Sequence, residues 1–179
     1  MATTLKELTI ARAHQGYRNG DFTARQVVEY YLDRIAKLDQ ADDGPKLNSI
    51  LGVSKTALAE ADALDAHLKA TSELKGSLHG IPVVIKDQAN TKGLVTTFGS
   101  VVAKDNIPEQ DATLVAKLKA AGAIVLAKTT MPGKERIPTC STSLLRRPAT
   151  RLGHIVAFDF VHFRNDTKSL RYQKGPRWV

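Results

Sequence analysis

The sequence predicts an α/β fold, with helices at its N-terminus and a βαβ unit behind them. Two runs, Ile81–Ile85 and Ala123–Ala127, are apolar at successive positions, the pattern of strands covered on both faces. A helical pattern carrying Leu114, Val115 and Leu118 lies between them. Strand, helix and strand at that spacing imply a parallel pair joined by a right-handed crossover.

The elements follow in order. Thr4-Leu5-Lys6-Glu7 and Thr23-Ala24-Arg25-Gln26 both read T-x-x-E/Q, the capping box that opens a helix. The first helix is predicted to run to about Arg18 and to stop at Asn19-Gly20. The second places Val27, Val28, Tyr31, Leu32, Ile35 and Leu38 on one face. Asp42-Asp43-Gly44-Pro45 is a turn, and a short strand is expected within Leu47 to Val53. Ala57, Leu58, Ala61, Leu64 and Leu68 mark an alanine-rich third helix. Pro82 has no ladder donor, so it belongs at the start of its strand or on an edge. Thr91–Ser100 reads as a loop, Asp111 as the cap of the fourth helix, and Gly122 as its stop.

Composition divides the chain at about residue 133. Residues 134–179 hold ten Lys/Arg and three Asp/Glu, so they carry +7 of the net +8 and leave 1–133 nearly balanced. The first part therefore reads as an ordinary domain and not a nucleic-acid binder. The second, 134–179, reads as a basic, irregular tail, with Ile155–Phe163 as its one candidate strand. No apolar run is long enough for a membrane span, and no secretory leader is visible. Cys140 is the single cysteine, which excludes an internal disulfide and fits a reducing, cytoplasmic setting. The five histidines are dispersed and none pair at metal-ligand spacing, so no metal is expected.

Both apolar strands end in a lysine, Lys86 and Lys128. In open parallel sheets chemistry gathers beyond the carboxyl ends of the strands, where both would sit. A lysine there must reach water, find a carboxylate or give up its proton, and an unprotonated amine can act as a base or nucleophile. Asp87 is adjacent to Lys86, but neighbouring strand residues point to opposite faces, so the two are not expected to pair. His79 is expected to bond locally as the chain enters the strand. Gly99-Ser100 could hold an anion on backbone donors or form an ordinary turn. The phosphate-loop, dinucleotide and nucleophile-elbow motifs are missing.

The succession Gly80-Ile81-Pro82-Val83-Val84-Ile85-Lys86-Asp87, Gly93-Leu94, Thr96-Thr97-Phe98-Gly99-Ser100, Asp111-Ala112-Thr113-Leu114-Val115 and Lys128-Thr129-Thr130-Met131-Pro132 resembles the amidase signature family. The resemblance covers about residues 3–132, including the two N-terminal helices. It implies an α/β fold around a mixed sheet, and hydrolysis of small-molecule carboxamides by a Ser–cis-Ser–Lys triad without cofactor or metal. It places Lys86 at the position of the catalytic lysine, a general base, and gives Lys128 a structural role. The Gly/Ser-rich segment that carries the family's bridging serine and nucleophile finds no match: Ser141, Ser143 and Ser169 follow, without a Gly-Ser-Ser run.

The chain is therefore expected to be an incomplete amidase-signature fold, cut short in its sequence and inactive alone, with apolar faces open to self-association. The alternative is a non-catalytic binding or regulatory protein whose basic tail, interspersed with Phe158, Phe160, Phe163, Tyr172 and Trp178, meets an acidic partner or RNA. A third reading, a Schiff base on Lys86, rests on that lysine alone.

Overall fold

A computed structural model describes residues 5–131 and the backbone of 156–157. Helix α1 spans Ile10–Asn19 and is capped by Thr9, whose hydroxyl accepts from the Arg12 amide at 3.2 Å. The predicted start at Thr4-Leu5-Lys6-Glu7 is thus corrected. Glu7 takes a positive φ of 58°, which interrupts a helix, and Leu8 turns into the core before the helix begins. Gly20 at φ 72° ends α1 in the left-handed conformation expected of it.

Helix α2 (Ala24–Ile35) opens on the complete Thr23/Gln26 capping box and buries Val27, Val28, Tyr31 and Ile35. A π-helical turn, Ala36–Gln40, prolongs it and buries Asp39. The Asp39 carboxylate accepts from the Ser49 amide (2.7 Å), the Ser49 hydroxyl (2.5 Å) and the Ile50 amide (3.1 Å), which starts strand β1 (Ile50–Val53). Burial alone would raise its pKa, but these donors outweigh burial and hold it below the usual aspartate value. Helix α3 (Ala57–Thr71) buries Ala57, Ala61 and Leu64 and packs against α2.

Strand β2 (Pro82–Lys86) begins on the proline, as its missing donor requires. Helix α4 (Thr113–Ala120) leads to strand β3 (Ile124–Thr129). Strands β2 and β3 pair in parallel, so the βαβ unit forms as predicted. Strand β1 joins the other side of β3 antiparallel, and a two-residue strand β4 (Val156–Ala157) pairs in parallel with β2. The order β1-β3-β2-β4 makes a mixed sheet. Val83, Val84, Ile85 and Ile124–Ala127 are all buried, as strands covered on both faces must be. Beyond Val156–Ala157, the predicted strand Ile155–Phe163 and the irregular tail lie outside the described residues.

Asp111 does not cap α4, contrary to the sequence reading. The N-cap is Ala112, without a side-chain bond, while Asp111 accepts from the Lys92 amide (2.7 Å) and the Lys119 ammonium (2.8 Å). The longer reach to Lys119 and Lys92 ties the preceding loop to the far end of α4. Gly80 marks the entry to β2 at φ 69°, where an added Cβ would lie 2.9 Å from both the Ala24 Cβ and the Tyr17 ring. The phenol of Tyr17 donates to the Gly80 carbonyl at 2.8 Å, so α1 and α2 close directly over this turn.

Candidate active site

The carboxyl ends of β2 and β3 bring Lys86 and Lys128 to one edge of the sheet. The register pairs Ile85 with Lys128 and Lys86 with Thr129. Side chains alternate along a strand, so Lys86 and Thr129 share one face, whereas Ile85, Asp87 and Lys128 share the other. The expected absence of a Lys86–Asp87 pair follows from this geometry.

The two lysines are in different states. Lys86 is half-buried, and its ammonium makes no hydrogen bond or ion pair among the described residues. Lys128 is 1% exposed, and its ammonium donates to the Ala89 carbonyl. Burial pushes the Lys128 pKa down to about 8, with the Asp87 carboxylate opposing the fall. Desolvation, the physical argument that drew attention to a strand-end lysine, thus acts most strongly on Lys128. The sequence missed this because the two strands end alike, and only the register shows which lysine turns inward.

Asp87 is 1% exposed and fully engaged. Its oxygens accept from the Thr97 amide (2.8 Å), the Thr97 hydroxyl (2.5 Å) and the Gly99 amide (3.2 Å), and its own amide donates to the Thr129 carbonyl at 3.0 Å. The Thr96–Ser100 loop does hold an anion on backbone donors, and that anion is the carboxylate of Asp87. Phe98 takes φ 54° and Gly99 φ 71° within this loop. Gly99 lies against Met131, whose Cβ would be 3.1 Å from an added Cβ.

His79 lies farther back, at the entry to β2, and is fully buried. Its Nδ1 accepts from the Lys75 amide at 3.0 Å, so a neutral ring carries its proton on Nε2. Burial first, then His14 and His67, push its pKa down. The local role expected for it holds. Among the described residues no group of His, Cys, Asp or Glu is placed to hold a metal ion.

The sequence that forms these elements matches a known family. The amidase family model aligns with residues 26–151. The chain belongs to the amidase family. The match continues past Pro132, where the motif succession ends. The glutamyl-tRNA(Gln) amidotransferase A-type subunit from Alkaliphilus metalliredigens is 43% identical over 128 residues, 71% of this chain and 25% of that one. Among solved structures, peptide amidase from Stenotrophomonas maltophilia superposes with a TM-score of 0.64 at 36% identity, over 69% of this chain and 24% of that one. An amidase family protein from Bacillus anthracis gives 0.62 at 35%, over 70% and 26%. The fold is therefore the amidase-signature fold over these residues. The chain spans about a quarter of the length of the curated relatives it matches. No helix among the described residues is long and apolar enough to cross a membrane.

Proposed function

We propose that this chain is the lysine-bearing portion of a carboxamide hydrolase, with Lys86 as the general base. The carrying observation is the state of Lys86: it ends β2 within the family match, half-buried and with its ammonium uncommitted among the described residues, while Lys128 and Asp87 beside it are buried and hydrogen-bonded. In this reading the Lys86 amine takes a proton from a bridging serine hydroxyl. That serine in turn takes the proton of the nucleophilic serine as the latter attacks the amide carbon. The proton returns along the same path to the departing nitrogen, and water then releases the acyl group. The substrate class is a small-molecule carboxamide, in keeping with the amidotransferase and peptide amidase among its relatives, and the setting is cytoplasmic.

The bridging serine, the nucleophile and the oxyanion donors act as a unit with the lysine, so residues 1–179 by themselves carry little or no turnover. Two assays test the reading. The chain alone is given simple aliphatic and aromatic amides; turnover that Lys86→Ala abolishes defeats the claim of inactivity. The chain is also combined with the remaining three quarters of a relative, and reconstituted hydrolysis is measured with and without Lys86→Ala. Loss of hydrolysis supports Lys86 as the base, and undiminished hydrolysis ends that assignment.

A further inference from the structure

A set of hydrogen bonds fixes the backbone on the C-terminal side of Lys86. The Ala89 amide donates to the Lys86 carbonyl at 3.1 Å, closing a tight turn. The Ala89 carbonyl is held in turn by the Lys128 ammonium, which crosses from β3. The Asp87 amide is held by Thr129, and the Asp87 carboxylate gathers Thr97 and Gly99. Lys128 and Asp87 are each 1% exposed, lie on the same face and oppose each other in charge. Each is expensive to bury without the other.

An apolar pair of similar shape would pack here without that cost. What the charged pair does, and an apolar pair would not, is bind backbone: one residue ties down the turn after Lys86, the other the loop beside it. From this geometry we infer that Lys128 and Asp87 are positioning residues for Lys86, a buried clamp on the face opposite its side chain that fixes the point from which Lys86 leaves the sheet. The inference deepens the assignment of Lys86 as base and rests on it.

The test reads two quantities on the 179-residue chain: amide hydrogen exchange at Ala89, and the rate at which an acylating reagent modifies Lys86 relative to exposed Lys37 and Lys104. Lys128→Met removes the ammonium and keeps an unbranched apolar chain of similar length. Exchange at Ala89 is expected to accelerate about tenfold or more, the scale of a lost charge-assisted bond. Lys86 acylation should change with it, while Val27 and Val28 in α2 exchange as before. Lys128→Cys in a Cys140→Ser background, alkylated with 2-bromoethylamine while unfolded and then refolded, returns the amine and should restore both values.

Unchanged exchange and acylation in Lys128→Met overturn the inference, as does an equal acceleration at Val27 and Val28, which marks general loosening. Where Lys128→Met does not fold, Asp87→Asn decides: faster exchange at Thr97 and Gly99 with altered acylation of Lys86 supports the clamp, and an unaltered Lys86 overturns it. These readouts are independent of hydrolysis. Reconstituted activity that survives Lys86→Ala removes the base assignment and leaves the exchange result standing.

Discussion

The Asp65 carboxylate caps α2 from outside, accepting from the Ala24 amide at 2.8 Å and the Arg25 amide at 3.0 Å. Thr23 and Gln26 satisfy other free donors of the same helix end, so a residue of α3 completes a cap that the local sequence begins. The negative charge also meets the positive end of the helix dipole. Asp65→Ala is expected to lower stability by about 1–2 kcal/mol in urea unfolding, because two partly buried amides lose their acceptor. A midpoint unchanged from wild type would show that water replaces the carboxylate at no cost.

The turn at Gly80 yields a larger effect. Its φ of 69° and the 2.9 Å approach of Ala24 and the Tyr17 ring leave no room for a methyl group. Strain in the left-handed region and overpacking act together, so Gly80→Ala should cost roughly 2–4 kcal/mol. Tyr17→Phe, which removes only the 2.8 Å bond to the Gly80 carbonyl, should cost roughly 1 kcal/mol. The reverse ranking, read by thermal unfolding of both variants, would mean that the hydroxyl and not the space organises the turn.

These positions show where the sequence was legible. Hydrophobic runs gave β2 and β3, helical spacing gave the faces of α2 and α3, and Thr23/Gln26 gave a start, because each signal is contained within a few residues. Thr4-Leu5-Lys6-Glu7 carried the same four-residue signal, yet Thr9 caps α1, since Leu8 gains more by entering the core. Asp111 looked like a cap and became a tie for Lys92 and Lys119. The candidate site divides in the same way. Lys86 stood out from its strand and motif, whereas the burial of Lys128 and the grip of Asp87 on Thr97 depend on the pairing of two strands separated by a loop and a whole helix. No local pattern encodes that register.

The lowered pKa of Lys128 makes stability depend on alkaline pH. In the unfolded chain this lysine takes a proton below its ordinary value of 10.5, and in the fold only below about 8. Between those values the unfolded state binds more protons, so stability rises with pH, by at most about 1.4 kcal/mol per unit. The difference in unfolding free energy between wild type and Lys128→Met, measured at about pH 7 and about pH 9.5, should move in favour of wild type at the higher pH. A difference that stays constant would indicate an ammonium fully compensated by Asp87.

On the acid side His79 is a sensitive group, together with His14, whose pKa burial also lowers. The folded pKa of His79 lies below 6.5 because burial, His14 and His67 all disfavour the imidazolium. Its contribution is therefore fully present above the unfolded pKa and is lost as pH falls through the folded one. His79→Asn keeps an acceptor for the Lys75 amide and removes the titration. Its stability near neutral pH should be lower than that of wild type, by about 1–2 kcal/mol for lost packing, but should fall less steeply between about pH 6.5 and 5. Parallel pH profiles for the two proteins would assign the acid sensitivity to another group.

Four apolar residues close together in the chain face outward: Phe98, Val101, Val102 and Ile107, with Val102 98% exposed. Leu51 and Val53 on strand β1, at one end of the sheet order, do the same. Apolar surface gathered this way favours association, and an edge strand offers unpaired backbone as well. Val101 and Val102 sit in a short 3-10 turn and neither is buried, so replacing both by serine leaves the core intact. Sedimentation velocity over a concentration series should show wild type shifting to larger species and the double variant shifting less, at equal thermal stability. Identical distributions would remove this segment as the cause and point next to the β1 edge, tested by Leu51→Lys.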